Sequence, residues 1–238
     1  MFAAGRSFEQ VRNAVGYPHN NVKIGATHAG ITVGEDGATH QCLEDLALMR
    51  TIPGMTVVNP ADATEARAAV EWAINYKGPV YFRFGRYAVP VLFDKESYRF
   101  EPGKAATLAE GKDVSILATG IMVDMALKAR ELLAAEGISA AVVNVHTIKP
   151  IDREAVVKAA ETTGAIVTAE EHNVIGGLGA AVAEVVCETK PVPVLRVGVE
   201  DSFGRSGTVP ALLELYGLTP ENIAAKAKAA VAMKKYDS

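Results

Sequence analysis

Two histidines and an aspartate share one glycine-rich loop. Residues 27–41 read Thr-His-Ala-Gly-Ile-Thr-Val-Gly-Glu-Asp-Gly-Ala-Thr-His-Gln, so His28, Asp36 and His40 are spaced between Gly30, Gly34 and Gly37. Imidazole can give or take a proton near neutral pH. A carboxylate such as Asp36 accepts hydrogen bonds from hydroxyls. Glycines permit close backbone approach to a ligand. Together these groups suit a sugar-phosphate site, of which this chain carries part. Thr39 is placed to cap a following helix, with His40 in its first turn, where the positive helix end favours a neutral imidazole. Two further candidates are Arg83 and Arg86 in Phe-Arg-Phe-Gly-Arg, residues 82–86. Alternation puts them near opposite faces of a strand. Arg86, just past Gly85, is the better placed at a strand end to clamp a phosphate, the alternative being a solvated strand-end arginine. A metal reading is weak, because His-x7-Asp-x3-His matches no familiar ligand spacing.

The elements around the loop decide whether these groups meet. Apolar runs of strand length at 22–27, 55–58 and 79–84 alternate with helical patterns at 2–15, 40–50 and 63–76. Strands separated by helices predict a parallel sheet covered on both faces. Ligands of such sheets bind beyond the carboxyl ends of the strands, and the loop begins at such an end. Residues 89–112 break the rhythm and read as a linker, with a possible hairpin at Glu101-Pro102-Gly103. The alternation then restarts: strands at 114–118, 141–145, 165–169 and 194–199, and helices at 122–135, 152–162, 178–189, 209–215 and 220–233. The expected fold class is therefore α/β, with an incomplete parallel-sheet domain over 1–88 and a complete doubly wound domain over 113–238. Three parallel strands are few for a covered sheet, and the chain opens inside a helical pattern. The first domain is expected to be completed by preceding sequence or by another chain.

Composition narrows the classes. The chain has 238 residues and a net charge of −4, with no long basic run, which argues against nucleic acid as partner. Its two cysteines, Cys42 and Cys187, form no C-x-x-C pair and fit a reducing cytoplasm. No apolar run reaches membrane-spanning length. The segment Ala-Glu-Glu-His-Asn-Val-Ile-Gly-Gly-Leu-Gly, residues 169–179, looks like a phosphate loop, but it lacks the full dinucleotide fingerprint and a nucleotide-loop lysine. Its glycines are expected to serve tight strand–helix packing. His146 and His172 are expected to be structural or interface residues, His19 a surface residue, and Trp72 and Cys42 packing residues.

Several stretches carry a resemblance to a known family. The 27–41 loop, Leu46–Asp62 and Gly78–Arg86 resemble the pyrimidine-binding domain of transketolase. Asp113–Gly120, Val142–Asp152, Ala169–Gly179 and Asp201–Gly207 resemble its C-terminal domain. The likeness is strongest to the split bacterial and archaeal form, in which two chains make one enzyme. Deoxyxylulose-phosphate synthase has a similar loop but typically Asp-Arg where Thr27-His28 stands here. The resemblance implies transfer of a two-carbon ketol unit from a ketose phosphate to an aldose phosphate, with thiamine diphosphate and Mg²⁺ as cofactors. It implies that His28 and Arg86 hold the sugar phosphate, that Asp36 bonds a donor hydroxyl, and that His40 assists proton transfer at the reacting carbonyl. Phe2 matches an aromatic that packs on the cofactor's pyrimidine, whereas Gly5 stands where some members carry an aromatic. The family's Gly-Ile-Ala-Glu-Gln-like stretch, which bears the catalytic glutamate, and its G-D-G…N metal segment do not occur here. The chain is therefore expected to be inactive alone, to hold no metal ligands, to need an N-terminal transketolase subunit or segment, and to dimerise through its C-terminal domain. The rival expectations are a deoxyxylulose-phosphate synthase-like enzyme and a non-catalytic assembly or regulatory subunit.

Overall fold

The structure is a computed structural model and describes residues 1–234. The chain opens with a π-helical turn, Phe2–Arg6, a short α1 (Phe8–Gln10) and a second π-helical turn, Val11–Gly16. The expected helix over 2–15 is thus present as a helical trace with widened turns. Phe8, Val11 and Val15 still pack on one core. Strand β1 (Lys23–Ala26) leads into the 27–41 loop, then α2 (Asp45–Thr51), β2 (Thr56–Val58), α3 (Ala63–Asn75) and β3 (Val80–Arg83). The second half runs β4 (Ala106–Ala109), β5 (Val114–Ala118), α4 (Met122–Ala135), β6 (Ala140–Asn144) and β7 (Thr147–Lys149). It ends with α5 (Arg153–Thr163), β8 (Ile166–Asn173), α6 (Leu178–Glu188), β9 (Val194–Val199), α7 (Val209–Leu215) and α8 (Pro220–Lys234).

The fold is α/β with two sheets. The first has four strands in the order β1-β3-β2-β7, and β1, β3 and β2 are parallel. Its fourth strand, β7, runs antiparallel to β2 and comes from the second half of the sequence. The second sheet has five strands in the order β4-β6-β5-β8-β9, parallel except for the antiparallel edge strand β4. Two short strands were thus unforeseen. One of them, β4, lies inside the stretch expected to be a linker. The Glu101–Gly103 region is a turn closed by Lys104 N–H donating to Glu101 O at 3.1 Å, not a paired hairpin.

Side-chain burial ties the two sheets together. Ile31, Leu43 and Ala61 pack with Val114, Ile116, Met122 and Leu133 in one cluster. Leu46, Met49, Met55 and Tyr81 pack with Leu117, Val143, Ile166 and Val182 in another. Both clusters mix residues of the two halves. At about 1.5–3 kcal/mol per fully buried aliphatic side chain, this shared core is the main force holding the halves in register. Lys149, on β7, adds a polar clamp by donating to Arg50 O and Ile52 O at 2.7 and 2.6 Å, which satisfies the end of α2.

Candidate active site

The site loop leaves β1 through a strained residue. His28 adopts φ +62°, a left-handed conformation that costs a non-glycine residue about 1–2 kcal/mol. Its Nδ1 lies 2.9 Å from Thr27 Oγ1. The chain then winds a 3₁₀ helix, Ile31–Asp36, kinked at Gly34. Gly37 N–H donates to Gly34 O, and His40 N–H donates to Gly37 O at 3.0 Å. Gly30 N–H donates to Cys42 O at 2.9 Å, an isolated bridge that closes the loop at its base. The chain stays non-helical through residue 44, and α2 begins only at Asp45. This corrects the expected helix from residue 40. Thr39 caps nothing, His40 is in no first helical turn, and the helix-dipole argument for its neutral form does not apply.

His28, Asp36, His40 and Phe2 all line one cleft of about 310 Å³ at the carboxyl end of β1. Cys42 and Tyr81 form part of its floor. The Phe2 and His40 rings meet edge to face, with centroids 5.1 Å apart. His28, Asp36 and His40 are exposed to solvent from this cleft. Arg86 is not among its walls. It sits behind the loop, with Nη1 donating to Val33 O at 3.0 Å and lying 3.8 Å from Glu35. Its partner in the sequence motif is a different kind of residue: Arg83 is buried, pairs with Asp45 at 2.9 Å, and donates from Nη2 to Glu171 O at 2.8 Å.

Sequence reasoning missed the residues that brace the loop. Glu171 accepts from Thr32 N–H at 2.7 Å. Gln41 Nε2 donates to Ile31 O, Gly34 O and Arg205 O at 3.1, 3.3 and 3.0 Å. Around them is a buried charge cluster. Burial pushes Asp45 toward its neutral form, but the Arg83 guanidinium overrides this and holds its carboxyl below the usual range. Burial also works against Arg83, yet Asp45 and Glu171 raise its pKa above the ordinary value. At Glu171 burial outweighs the nearby guanidinium and the pKa is raised. Apart from the two bonds of Gln41 within the loop, these pairings span 38 to 164 residues of chain, so no local signal could have marked them.

The 169–179 segment is explained by packing. Glu170 accepts from Leu178 N–H and Gly179 N–H at 2.7 and 2.8 Å, a carboxylate seated on the start of α6. A Cβ at Gly177 would lie 1.9 Å from the Glu170 side-chain oxygen, so the glycine makes room for that side chain. His172 and His146 are buried; His172 Nδ1 lies 2.6 Å from Asn173 O, and His146 Nδ1 lies 2.8 Å from Thr147 Oγ1. Burial pulls the His146 pKa down to about 4, so this ring stays neutral. His19 is a surface residue, Cys42 is buried, and Trp72 packs against the Val58–Phe82 cluster.

These features define a class: an α/β protein with a strand-end cleft walled by imidazoles, a carboxylate and an aromatic ring. Comparison with known proteins gives the family. The chain matches the transketolase pyrimidine binding domain over residues 1–91 and the transketolase C-terminal domain over residues 103–223. It is 49% identical over 226 residues to a putative transketolase C-terminal section of Methanocaldococcus jannaschii, covering 94% of this chain and 71% of that one. It is 50% identical over 222 residues to a 6-deoxy-6-sulfo-D-fructose transketolase subunit of a Clostridium species, covering 93% and 69%. A solved split-gene transketolase, an inactive β4 tetramer, superimposes with TM-score 0.91 at 55% identity, covering 97% of this chain and 74% of that one. The chain belongs to the transketolase family, as a C-terminal part of the split kind. Membership implies dependence on thiamine diphosphate. The residues here fit one end of that group: Phe2 offers a half-exposed aromatic face on the cleft. Among the described residues no three His, Cys, Asp or Glu side chains are grouped to hold a metal ion. Nor is any described helix long and apolar enough to cross a membrane.

Proposed function

We propose that this chain is the C-terminal subunit of a transketolase that moves a two-carbon ketol unit from a ketose phosphate to an aldose phosphate. The observation that carries the reading is the convergence of His28, Asp36, His40 and Phe2 on one cleft at the carboxyl end of β1. His28, held at the cleft mouth by its left-handed backbone, grips the terminal anion of the sugar. Family likeness assigns Arg86 to the same anion, although here it lies behind the loop with its Nη1 donating to Val33 O. Asp36 accepts a hydrogen bond from a donor hydroxyl and so fixes the sugar's face. His40 gives and takes the proton at the reacting carbonyl oxygen, with its ring oriented by Phe2. Thiamine diphosphate supplies the carbanion chemistry when bound. Phe2 packs on its pyrimidine, while an N-terminal subunit or segment provides the catalytic glutamate and the Mg²⁺ and diphosphate ligands. The chain alone is inactive, and its C-terminal domain pairs two copies.

The test is co-expression with a candidate N-terminal subunit and a ketol-transfer assay with a ketose phosphate donor. Transfer by the pair and none by either chain is the expected result. Turnover of pyruvate with glyceraldehyde phosphate would replace the reading with a synthase. A pair that forms yet transfers nothing and binds no thiamine diphosphate would leave an assembly subunit. A sulfonated sugar named in one relative makes sulfofructose a donor worth including beside the phosphates.

A further inference from the structure

We propose that Glu171, on the second sheet, is the positioning residue that sets the orientation of His28, Asp36 and His40 on the first. The inference rests on reading those three as the substrate-facing groups. Glu171 is 3% exposed and reaches across from β8 to accept Thr32 N–H at 2.7 Å, at the start of the 3₁₀ helix. Gly30, the residue just before this helix, has φ +78°, and a Cβ there would lie 2.1 Å from the Glu171 carboxyl oxygen. The loop backbone is therefore seated directly on that carboxyl group, and glycine is required on two counts. From this seat the rest of the loop follows as a rigid piece. Gln41 ties together Ile31 O and Gly34 O, and the Gly30–Cys42 bridge closes the base. Arg83 fixes Glu171 in turn by donating to its backbone oxygen at 2.8 Å. His28 precedes the seat and Asp36 and His40 follow it. A shift at Thr32 moves the spacing between the anion-gripping imidazole and the proton-carrying one. Misplacement of about 1 Å at reacting groups costs about 10²-fold in rate.

The chain alone provides the first readout. In protein labelled with ¹⁵N-histidine, the Phe2 and His40 rings exchange a ring-current shift that reports loop orientation, with His19 as an internal control. Glu171→Ala is expected to abolish that shift at His40 and leave His19 unchanged. Glu171→Gln keeps an oxygen for Thr32 N–H and is expected to retain it. In the reconstituted pair, Glu171→Ala should lower turnover about tenfold or more, while Glu171→Gln stays within about twofold. An unchanged His40 signal in folded Glu171→Ala overturns the proposal, as does a Gln variant as impaired as the Ala variant. If Glu171→Ala does not fold, Gly30→Ala decides: it drives the loop off the Glu171 side chain without removing its carboxyl group. Loss of the His40 shift there supports the proposal, and its persistence sinks it. A wild-type pair without ketol transfer would end the functional reading, yet the imidazole signals would still decide the role of Glu171.

Discussion

The first sheet has four strands, one of them borrowed; the second has five and is flanked by α4, α5, α6 and α8. In the second sheet β5 and β6 are buried at every residue, as a parallel sheet covered on both faces requires. In the first sheet β1 pairs only with β3 and is half-exposed along Lys23–Gly25. Yet the histidine-bearing cleft sits at the end of β1, on the less complete of the two. The second sheet supplies what the first lacks: Ile31 and Leu43 of the loop region belong to its core, and Glu171 and Arg205 hold the loop by hydrogen bonds. The proposed site residues and the groups that brace their loop are therefore on different sheets.

Four experiments would break or sharpen that division. The largest effect is expected on the chemical side. His40→Ala in the reconstituted pair should lower turnover about 10²–10⁴-fold, the usual worth of a placed acid–base group, with an unchanged thermal melt. A comparable loss of melting temperature would show that the loop is structural after all. On the supporting side, Leu117→Ala should destabilise the chain by about 2–5 kcal/mol, because Leu117 is fully buried in a cluster fed by both sheets. Separate unfolding of two units, rather than one earlier transition, would contradict a shared core.

The third test is electrostatic. Burial pushes Glu65 up from 4.5 to about 7, despite hydrogen bonds from Tyr98 OH, Ala61 N–H and Asn144 Nδ2. With the folded pKa raised, the unfolded chain gives up this proton first. Stability should then fall as pH climbs from 4.5 through about 7, by up to about 3 kcal/mol, and level off above. Urea midpoints for Glu65→Gln should vary less with pH and exceed those of the wild type at pH 8. A wild-type curve flat over this window would refute the shift. The smallest effect is on recognition. His28→Ala should raise KM about tenfold for phosphorylated donors, the worth of one charged hydrogen bond, and little for unphosphorylated ones. Equal changes would remove His28 from the anion site.

Much of this was legible in the sequence where the signal was local. The apolar runs at Val114–Ala118 and Val80–Arg83 marked buried parallel strands, and the clustering of His28, Asp36 and His40 after β1 marked the cleft. What failed were short or distant features. Strands β4 (Ala-Thr-Leu-Ala) and β7 (Thr-Ile-Lys) carry one large apolar side chain each, so they form no apolar run, and they pair along the edges of β6 and β2. Thr39 has the chemistry of a cap and drew the expected start of α2 to residue 40, while the bond from Gly30 N–H to Cys42 O, twelve residues apart in the chain, leaves no mark in a helical pattern. Arg86 was expected on the cleft wall, but its Nη1 is drawn back to Val33 O.

The borrowed strand has a practical meaning. Dividing this polypeptide between residues 90 and 105 would look natural from its two recurring patterns, but Thr147–Lys149 would leave with the larger fragment. The smaller fragment would keep three strands, bare backbone along Thr56–Val58, and α2 stripped of the ammonium group that caps its end. Exposed edges of that kind template aggregation. Anyone shuffling modules between such enzymes should therefore exchange the two layers as a single cassette.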